Sequence, residues 1–509
     1  MPSTLVRGKY VIASEAAVIE DGAVFQRDGT IVAVGRYDEL AARYPADETL
    51  GSSDHVVLPG LVNAHHHVGL TPLQLGSPDH PLELWLTARM AARDVDPYLD
   101  TLYSAFEMIE SGVTTVQHLH GARRGPVAAW PARARSVLKA YRDLGMRTSY
   151  AFGIRDQCQI VYGSDEEFVR SLPPELGTPV SAWLDGMQIG VEDWARDLFV
   201  GLYEAGGRNQ DELVRIWLAP TNLHWCSDAL LVRVKELAAQ YRAGIHIHLL
   251  ETAYQKLYAH RRTGVSAARH LHDLGFLGPE VTLGHGVWLT EAELDLCAAT
   301  GTAICHNASS NLRLQSGIAP LNRWLERGLR VAIGIDEAGL NDDRDMLQEL
   351  RLVLKLHRVP GHDQPVPTAA QVFRMATEHG AWTTGFGERI GTLGPGRAAD
   401  LVLLRWSGLA APYLDADVPV LDAVLHRARS RDVETVMIAG EVVLRDRRFT
   451  RVNKEEVLAE LAARLRVPLR PDELERRELS RRLFPHVERF YRDWILEKGD
   501  PYDIRNQRG

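Results

Sequence analysis

Eight short apolar runs, most of them separated by helical patterns, restrict this chain of 509 residues to few folds. The runs predict strands at residues 56–62, 113–119, 146–152, 214–219, 244–249, 281–285, 301–305 and 330–335. Helical patterns lie between them, for example at residues 99–111, 229–241, 290–299 and 319–327. Strands and helices that alternate in this number predict a (β/α)8 barrel, in which functional residues follow the carboxyl ends of the strands.

Short strand patterns occur at both ends of the chain. Near the N-terminus they lie at residues 10–12, 23–26 and 31–34, and Asp28-Gly29 is typical of a hairpin turn. A similar pattern begins at Gly394 and continues through Leu401-Val402-Leu403-Leu404. We therefore predict a small β-sandwich built from residues 1–55 and 386–450, with the barrel at residues 56–385 inserted between its two parts.

Two further segments belong to neither unit. The connection at residues 155–210 is too long for a plain loop, and its Trp183 and Trp194 are predicted to pack a helix or to form part of a lid. Residues 451–509 are predicted to form a helical extension, with helices at 454–465, 471–482 and 484–496. Apolar residues recur there at helical spacing and predict a face that packs on the barrel or on a neighbouring subunit: Phe484, Val487, Phe490, Tyr491 and Trp494.

Charge and apolar patterning exclude several classes of partner. The net charge of −9 argues against nucleic acid as the main partner. No apolar run approaches the roughly 20 residues that cross a bilayer, and the N-terminus lacks the apolar core of a signal peptide. The four cysteines contain no CxxC pair, as expected for reduced thiols. We therefore predict a cytoplasmic protein without a membrane partner.

Histidines and carboxylates follow several of the predicted barrel strands. In the run Pro59-Gly60-Leu61-Val62-Asn63-Ala64-His65-His66-His67, alternation along a strand points the first and third histidines the same way. Further polar residues follow strands five, six and eight: His248, Glu251, His285 and Asp336. Imidazoles with one carboxylate suit zinc or iron(II), with a position left open for water. Such a metal lowers the pKa of bound water and makes a nucleophile available at neutral pH.

With these motifs in this order, the chain resembles the amidohydrolase superfamily, in the branch of cytosine-deaminase-like and triazine-hydrolase-like enzymes, up to about residue 445. The resemblance implies that His65, His67 and His248 bind the metal. It implies that Asp336 binds the metal and also takes the proton of the attacking water. Glu251 would pass a proton to the ring nitrogen of the substrate, and His285 would orient the attacking hydroxide.

The fourth strand indicates how many metal ions to expect. Relatives with two metals bridge them with a carboxylated lysine after this strand, but residues 216–222 contain no lysine here. The resemblance therefore implies one divalent metal ion, zinc, with iron(II) as the alternative.

The chain also departs from the pattern of the branch. A histidine often follows the strand-four proline, whereas this chain has Thr221 there and His224 three residues later. Glu337 replaces the usual glycine after Asp336. These departures leave the substrate open. The candidates for substrate contact, each with packing or another non-contact role as its alternative, are Trp85, His120, Thr221, His224 and Glu337.

Three other polar residues near the strand ends are predicted to have supporting roles. His246 shares a strand face with His248 but lies one layer deeper, which predicts a hydrogen-bonded core histidine. His306 and Asn311 are predicted to hold their loop by hydrogen bonds from side chain to backbone.

The resemblance implies an aminohydrolase that deaminates a small-molecule nitrogen heterocycle of purine, pyrimidine, pterin or triazine type and releases ammonia. The alternative is a hydrolase that expels an alkylamine or chloride or opens a cyclic amide. A non-catalytic scaffold on the same fold is disfavoured, because every ligand position is filled. A homodimer or larger homo-oligomer is also expected.

Overall fold

The computed structural model describes residues 3–121 and 125–494. Its strands are β1 (Thr4–Ser14), β2 (Ala17–Arg27), β3 (Thr30–Arg36), β4 (Glu48–Pro59), β5 (Leu61–His66), β6 (Val113–His120), β7 (Arg147–Ile154), β8 (Val214–Ile216), β9 (Ala219–Pro220), β10 (Ile245–Leu249), β11 (Val281–His285), β12 (Ala303–His306), β13 (Val331–Ile333), β14 (Leu401–Arg405), β15 (Val433–Ile438), β16 (Glu441–Arg445) and β17 (Arg448–Phe449).

The α-helices follow in the same chain order. They are α1 (Tyr37–Arg43), α2 (Leu82–Arg89), α3 (Pro97–Glu110), α4 (Trp130–Leu144), α5 (Asp165–Arg170), α6 (Pro174–Asp185), α7 (Val191–Trp194), α8 (Gly201–Ala205), α9 (Asp228–Tyr241), α10 (Ala253–Thr263), α11 (Ala267–Asp273), α12 (Glu291–Thr300), α13 (Ala308–Arg313), α14 (Leu321–Glu326), α15 (Met346–Leu356), α16 (Ala369–Arg374), α17 (Gly380–Thr383), α18 (Trp406–Ala410), α19 (Val420–Arg427), α20 (Lys454–Arg466) and α21 (Pro471–Arg492). Within the described residues, no helix is both long and apolar enough to cross a membrane.

The parallel strands of the central region form two half-sheets. One contains β5, β6, β7 and β8, with β9 paired to β7, and the other contains β10 to β13. Isolated bridges join the half-sheets on both sides, at His66 with Asp336 on one side and at Leu218 with Ile245 and Asn222 with His248 on the other. The order of strands and helices agrees with the predicted (β/α)8 barrel, but the hydrogen-bonded ladders do not close into one sheet.

Local sequence explains where several barrel helices begin and end. The side chain of Asp96 accepts hydrogen bonds from the first turn of α3, which starts with a proline. Thr290 and Glu293 form a reciprocal capping box at the start of α12. Helix α4 ends at Gly145, whose φ of 75° is left-handed. The buried faces of α3, α4, α9, α12 and α15 contribute to the main apolar core together with the strands.

Strands from both ends of the chain form one eight-stranded sheet, in the order β17-β16-β15-β14-β4-β1-β2-β3. The two ends meet where β14 pairs antiparallel with β4. Asp28 and Gly29 have φ values of 52° and 78°, and they connect β2 and β3 in the predicted hairpin. The pairing of both ends is therefore present, whereas a sandwich of two sheets is not confirmed.

The prediction of one strand over residues 56–62 is wrong. Residues up to Pro59 belong to β4 of the eight-stranded sheet, and the first barrel strand, β5, begins at Leu61. Gly60 lies between them, and a Cβ atom there would come within 2.0 Å of Thr114 Oγ1. The chain can pass this close to β6 only because Gly60 has no side chain.

The connection between the third and fourth barrel strands folds into helices α5 to α8. Trp194 is buried and donates a hydrogen bond from Nε1 to the carbonyl oxygen of Phe152 at 3.1 Å, as expected for a packing role. Trp183 is half-buried and lines a cavity described below.

The C-terminal extension forms α20 and α21. Helix α21 is continuous through Pro485, so the prediction of separate helices at 471–482 and 484–496 is wrong. Residues 495 and 496 lie outside the described part of the chain. The apolar face of α21 packs on the 155–210 connection through Val487 and Tyr491, and Trp494, two residues after the helix, joins the same cluster. This face gives no reason to expect a second subunit, and the oligomeric state stays a prediction.

Candidate metal centre and active site

Three imidazoles and one carboxylate meet at the carboxyl ends of the barrel strands. The Nε2 atom of His67 lies 3.0 Å from Nε2 of His65 and 3.1 Å from Nε2 of His248. The Oδ1 atom of Asp336 lies 3.2 Å from Nε2 of His67 and 3.6 Å from Nε2 of His65. The structure thus brings together all four residues that the sequence analysis names as metal ligands.

The backbone orients these side chains. His65 and His67 point to the same side, as the alternation along β5 predicts. His66 points away and donates from Nδ1 to the carbonyl oxygen of Asp336 at 3.3 Å. His285 and Asp336 have φ values of 72° and 66°, a left-handed conformation that non-glycine residues seldom adopt. These unusual conformations, at the last residue of β11 and three residues after β13, aim both side chains at the histidine cluster.

Outer hydrogen bonds determine which ring nitrogens face the centre. Nδ1 of His67 donates to the carbonyl oxygen of Leu119 at 2.6 Å, and Nδ1 of His248 donates to that of Thr221 at 2.7 Å. In the neutral imidazoles, both Nε2 atoms are then unprotonated and face each other with their lone pairs. A cation between them removes this repulsion, so the donor set fits a divalent metal ion.

His65 is held in a similar way. Its Nδ1 atom lies 2.8 Å from Nε2 of His246, which is buried one layer deeper in the barrel. The prediction that His246 is a hydrogen-bonded core histidine is confirmed. Three overlapping groups of donor atoms at this site each lie within 4.8 Å of one another: His65, His248 and His285; His65, His67 and Asp336; Glu251, His285 and Asp336.

Burial and neighbouring charges set the protonation of the cluster. Burial, together with the neighbouring histidines, lowers the pKa of His65 and His248 well below the usual value. Burial also lowers the pKa of His67, but Asp336, together with Glu337 and the carbonyl oxygen of Leu119, raises it by more, so a positive charge is favoured at this point of the cluster. Burial acts to raise the pKa of Asp336, yet the hydrogen bond and charge of His67 and the charge of His285 hold it well below its usual range. Asp336 is therefore ionised at neutral pH.

Glu251 and His285 complete the cluster on the cavity side. The Oε2 atom of Glu251 lies 3.8 Å from Nε2 of His285, which is 3.9 Å from Oδ2 of Asp336. Burial, followed by the charges of Asp336 and Glu83, raises the pKa of Glu251 well above its usual value. Burial therefore favours the protonated form of the Glu251 carboxyl group. Its Oε1 atom is buried and has no hydrogen-bond partner among the described residues.

Helix α13 supplies contacts that the sequence analysis misses. Ser310 Oγ donates to Oδ2 of Asp336, and Asn311 Oδ1 accepts from Nδ1 of His285 at 2.9 Å. The prediction that Asn311 and His306 hold their loop through backbone hydrogen bonds is wrong, because both side chains contact other side chains. Asn311 binds His285, and Nε2 of His306 lies 2.8 Å from Nε2 of His357. The only sequence signal was the polar run Ser309-Ser310-Asn311 shortly after a barrel strand.

A cavity of about 270 Å³ opens over this cluster. Its wall contains His67, His248, Glu251, His285 and Asp336, and apolar side chains that include Ile160, Trp183, Met187 and Trp225.

Four of the five candidates for substrate contact line this cavity. Trp85 is buried, and its Nε1 has no hydrogen-bond partner among the described residues. His120 accepts a hydrogen bond from Tyr150 at 2.7 Å, and Thr221 donates to the carbonyl oxygen of Ile154 at 2.8 Å.

The fourth cavity residue, Glu337, accepts two hydrogen bonds from Arg89, at 2.9 and 3.2 Å. His224, the fifth candidate, lies outside the cavity lining. It is buried against Tyr162, with the ring centroids 4.1 Å apart. The structure therefore does not bring His224 to the site.

Comparison with known proteins shows related sequences along most of the chain. A model described as the amidohydrolase family matches residues 56–443, and an imidazolonepropionase-like composite domain of bacteria matches residues 22–46. The 5-methylthioadenosine/S-adenosylhomocysteine deaminase of Syntrophobacter fumaroxidans is 33% identical over 86% of this chain and 92% of that protein. The 5'-deoxyadenosine deaminase of Methanosarcina mazei is 29% identical over 90% of this chain and 97% of that protein.

Solved structures resemble the chain over a similar extent. An adenosine deaminase of Xanthomonas campestris with bound zinc has a TM-score of 0.73 and 28% identity, and the match covers 90% of this chain and 97% of that one. A variant of the atrazine chlorohydrolase TrzN of Arthrobacter aurescens, complexed with zinc and atraton, has a TM-score of 0.78 and 23% identity, covering 90% and 99%. The second likeness concerns the fold alone. Together with the donor set, the bound zinc of the first structure supports a divalent metal ion at this site.

Proposed function

Because the chain belongs to the amidohydrolase family, we propose that it is a zinc-dependent deaminase of adenosine and of adenosines with a modified 5′ group. Its relatives support an enzyme that acts on non-peptide carbon–nitrogen bonds. The observation that carries the proposal is Glu251: a buried carboxyl group on the cavity wall, 3.8 Å from His285, whose pKa burial raises. A heterocycle that must be protonated on a ring nitrogen before its amino group leaves requires such an acid.

His65, His67, His248 and Asp336 would hold the metal ion, with zinc preferred and iron(II) as the alternative. A bound divalent metal lowers the pKa of a water molecule toward neutrality and so makes it a nucleophile.

Asp336 and His285 are placed to handle the attacking water. Because Asp336 is ionised, one of its carboxylate oxygens can accept the proton that the water loses. Ser310 holds Oδ2 of this carboxylate by a hydrogen bond. Nδ1 of His285 donates to Asn311, so its Nε2 is the acceptor nitrogen of the ring. This Nε2 lies 3.3 Å from Nδ2 of Asn307, and it can accept a hydrogen bond from the water in place of that amide.

Glu251 acts on the substrate. Its carboxyl group donates its proton to the ring nitrogen beside the carbon that bears the amino group. The water oxygen adds to that carbon, and the proton taken by Asp336 passes to the amino group. The carbon–nitrogen bond then breaks and releases ammonia. The proton of the added hydroxyl group returns to Glu251 as the carbonyl forms, and the other product is the hypoxanthine nucleoside.

Apolar residues on the cavity wall support a substrate with an extended 5′ group. Trp183, Met187 and Trp225 line the same cavity as Glu251. Their side chains offer apolar surface that suits a thioether or a deoxy 5′ carbon. Glu337 and Thr221 offer oxygen atoms beside this surface for the polar groups of a nucleoside.

The test is ammonia release by zinc-replete protein on a panel of adenosine, 5′-methylthioadenosine, S-adenosylhomocysteine, 5′-deoxyadenosine, guanine, cytosine, a pterin and atrazine. We expect turnover of the adenine nucleosides, loss of the adenine absorbance, and no turnover by the Glu251→Gln and Asp336→Asn variants. Turnover of guanine, cytosine or the pterin alone would reject the nucleoside but keep a deaminase. Release of chloride or an alkylamine without ammonia would instead support the alternative hydrolase.

A further inference from the structure

We propose that helix α21 is a positioning element of the active-site cavity, and that Arg476 and Arg477 hold the cavity wall formed by α2. The inference rests on the proposed function, because it takes the cavity as the substrate site. The family match ends at residue 443, before α21 begins, so family membership alone does not suggest this role.

Helix α2 and the residues after it form one side of the cavity. Trp85, Thr87, Arg89 and Met90 all line it. Arg89 binds Glu337, the residue that follows Asp336. The position of α2 therefore sets both an aromatic surface for substrate and the orientation of a carboxylate next to the metal centre.

The turn that directly follows α2 takes hydrogen bonds from α21. The backbone N–H groups of this turn, at residues 90–92, donate to the last carbonyl groups of α2, so the carbonyl groups of the turn itself are left to accept from other parts of the chain. Arg476 donates from Nε to the carbonyl oxygen of Met90 at 2.9 Å and from Nη2 to that of Ala92 at 2.8 Å. Arg477 donates to the carbonyl oxygen of Ala91 at 3.0 Å. Two guanidinium groups thus bind the carbonyl groups of three successive residues just after the helix.

A third residue of α21 adds to this contact. Ser480 donates from Oγ to the carbonyl oxygen of Thr87 at 2.8 Å. The side chain of Arg476 is only 14% exposed, as expected for a buried packing role. By contrast, the side chain of Arg481, on the same helix, is 73% exposed and pairs with Glu478 of α21 itself.

The amino end of α2 is tied to α21 indirectly. The backbone N–H of Tyr162 donates to the hydroxyl of Tyr491 at 3.0 Å, and the hydroxyl of Tyr162 donates to Glu83 of α2 at 2.9 Å. Thr252, next to Glu251, also donates to Glu83. The contacts of Glu83 lie near Glu251, the proposed acid, whereas the contacts of Arg476 and Arg477 lie near Arg89 and the substrate surface. The two ends of α2 should therefore affect different steps of the reaction. Loss of the arginine contacts should weaken substrate binding and leave the chemical step intact.

The experiment compares three full-length, zinc-replete proteins: the parent, the double variant Arg476→Ala/Arg477→Ala, and the control Arg481→Ala. We expect KM for the preferred nucleoside to rise about ten-fold or more in the double variant, which is the effect of losing one hydrogen bond to a charged group, with little change in kcat. Hydrogen exchange of residues 82–92 should become faster in the double variant. The control should match the parent in both measurements. Arg476→Lys, which can bind one carbonyl but not both in the same planar geometry, should give an intermediate KM.

An unchanged KM together with unchanged exchange of residues 82–92 would overturn the proposal, as would an equal rise of KM in the control. If the double variant does not fold, Ser480→Ala removes one contact to α2 and should give the same effects at smaller size. If the parent deaminates no nucleoside of the panel, the proposed function fails. The exchange measurement then still decides whether α21 holds α2.

Discussion

The side-chain oxygen of Asn311 accepts a hydrogen bond from Nδ1 of His285, and this contact places the proton of the ring on the side away from the cavity. Nε2 of His285, which lies between Glu251 and Asp336, is therefore an acceptor. One residue of a short helix thus determines the chemical state of a group that the mechanism uses.

Replacement of Asn311 by Ala should lower kcat roughly 10- to 100-fold, the usual range for a residue that orients a group at a metal site. The cause is that His285 loses the acceptor that fixes its tautomer. Steady-state kinetics on the preferred substrate measure the change. Asn341→Ala, at an exposed position where the side chain binds Gln348, is the matched control and should leave kcat unchanged. Equal kcat in both variants would show that Asn311 has no role in orientation.

Glu251→Gln should lower kcat about 10² to 10⁴-fold, because the variant cannot donate a proton. In the parent, activity requires the protonated carboxyl, so kcat/KM should fall as the pH rises through the raised pKa of Glu251. This alkaline decline should be absent from the residual activity of the variant. A pH profile of both proteins tests the assignment, and an identical alkaline decline in both would assign it to another group.

Removal of the metal ion should abolish activity and lower the thermal midpoint. A ligand that binds only the folded state at a free concentration of 1,000 times its Kd stabilises that state by about 4 kcal/mol. Elemental analysis should find one zinc ion per chain in the parent and almost none in the His248→Ala variant. Added zinc should restore the parent but not the variant. Two equivalents per chain in the parent would contradict a single site.

Gly60→Ala should destabilise the protein by about 1–3 kcal/mol, the usual effect of forcing extra atoms into a packed region. The new Cβ would lie 2.0 Å from Oγ1 and 2.3 Å from Cγ2 of Thr114. Gly394→Ala is the matched control, because no atom lies within 4 Å of a Cβ at that position. Denaturant unfolding of both variants measures the difference, and equal stabilities would show that β6 shifts to accommodate the methyl group.

Glu349 should make stability depend on pH. Burial raises its pKa to about 7, although hydrogen bonds from Ser309 act to lower it. Since the folded state binds this proton more tightly than the unfolded chain, the contribution is fully present below the unfolded pKa and is lost as the pH rises through the folded pKa. The free energy of unfolding should therefore decrease by an amount on the order of 3 kcal/mol over that window. Glu349→Gln should remove this part of the decrease, whereas an unchanged slope would show that the carboxyl group is ionised when buried.

The positions of the polar residues at the strand ends could be predicted well from the sequence. Polar residues at the ends of apolar runs, such as His248 and His285, share the carboxyl end of a barrel, and the structure brings them together. The run at residues 56–62 was misassigned because an apolar stretch carries no mark of which sheet it joins. Likewise, the predicted helices at 471–482 and 484–496 form one continuous helix, α21, whose apolar face outweighs the N–H donor that Pro485 lacks.

The remaining differences depend on contacts between distant segments. Asn311 reaches His285 across 26 positions of the chain, and no local pattern specifies that pair. His224 lies close to Thr221 in sequence, but the short helical turn at Leu223–Trp225 directs its ring toward Tyr162 instead of the cavity. Sequence spacing places a residue near a site but does not say which way its side chain turns.

Isolated backbone bridges join the two half-sheets of the barrel, and each half-sheet contributes two of the four proposed metal ligands. His65 and His67 come from the half-sheet that starts with β5, whereas His248 and Asp336 come from the other. A cation held by these four side chains would add a bond between the half-sheets to the backbone hydrogen bonds already there. Metal binding would then stabilise the closed barrel as well as complete the site.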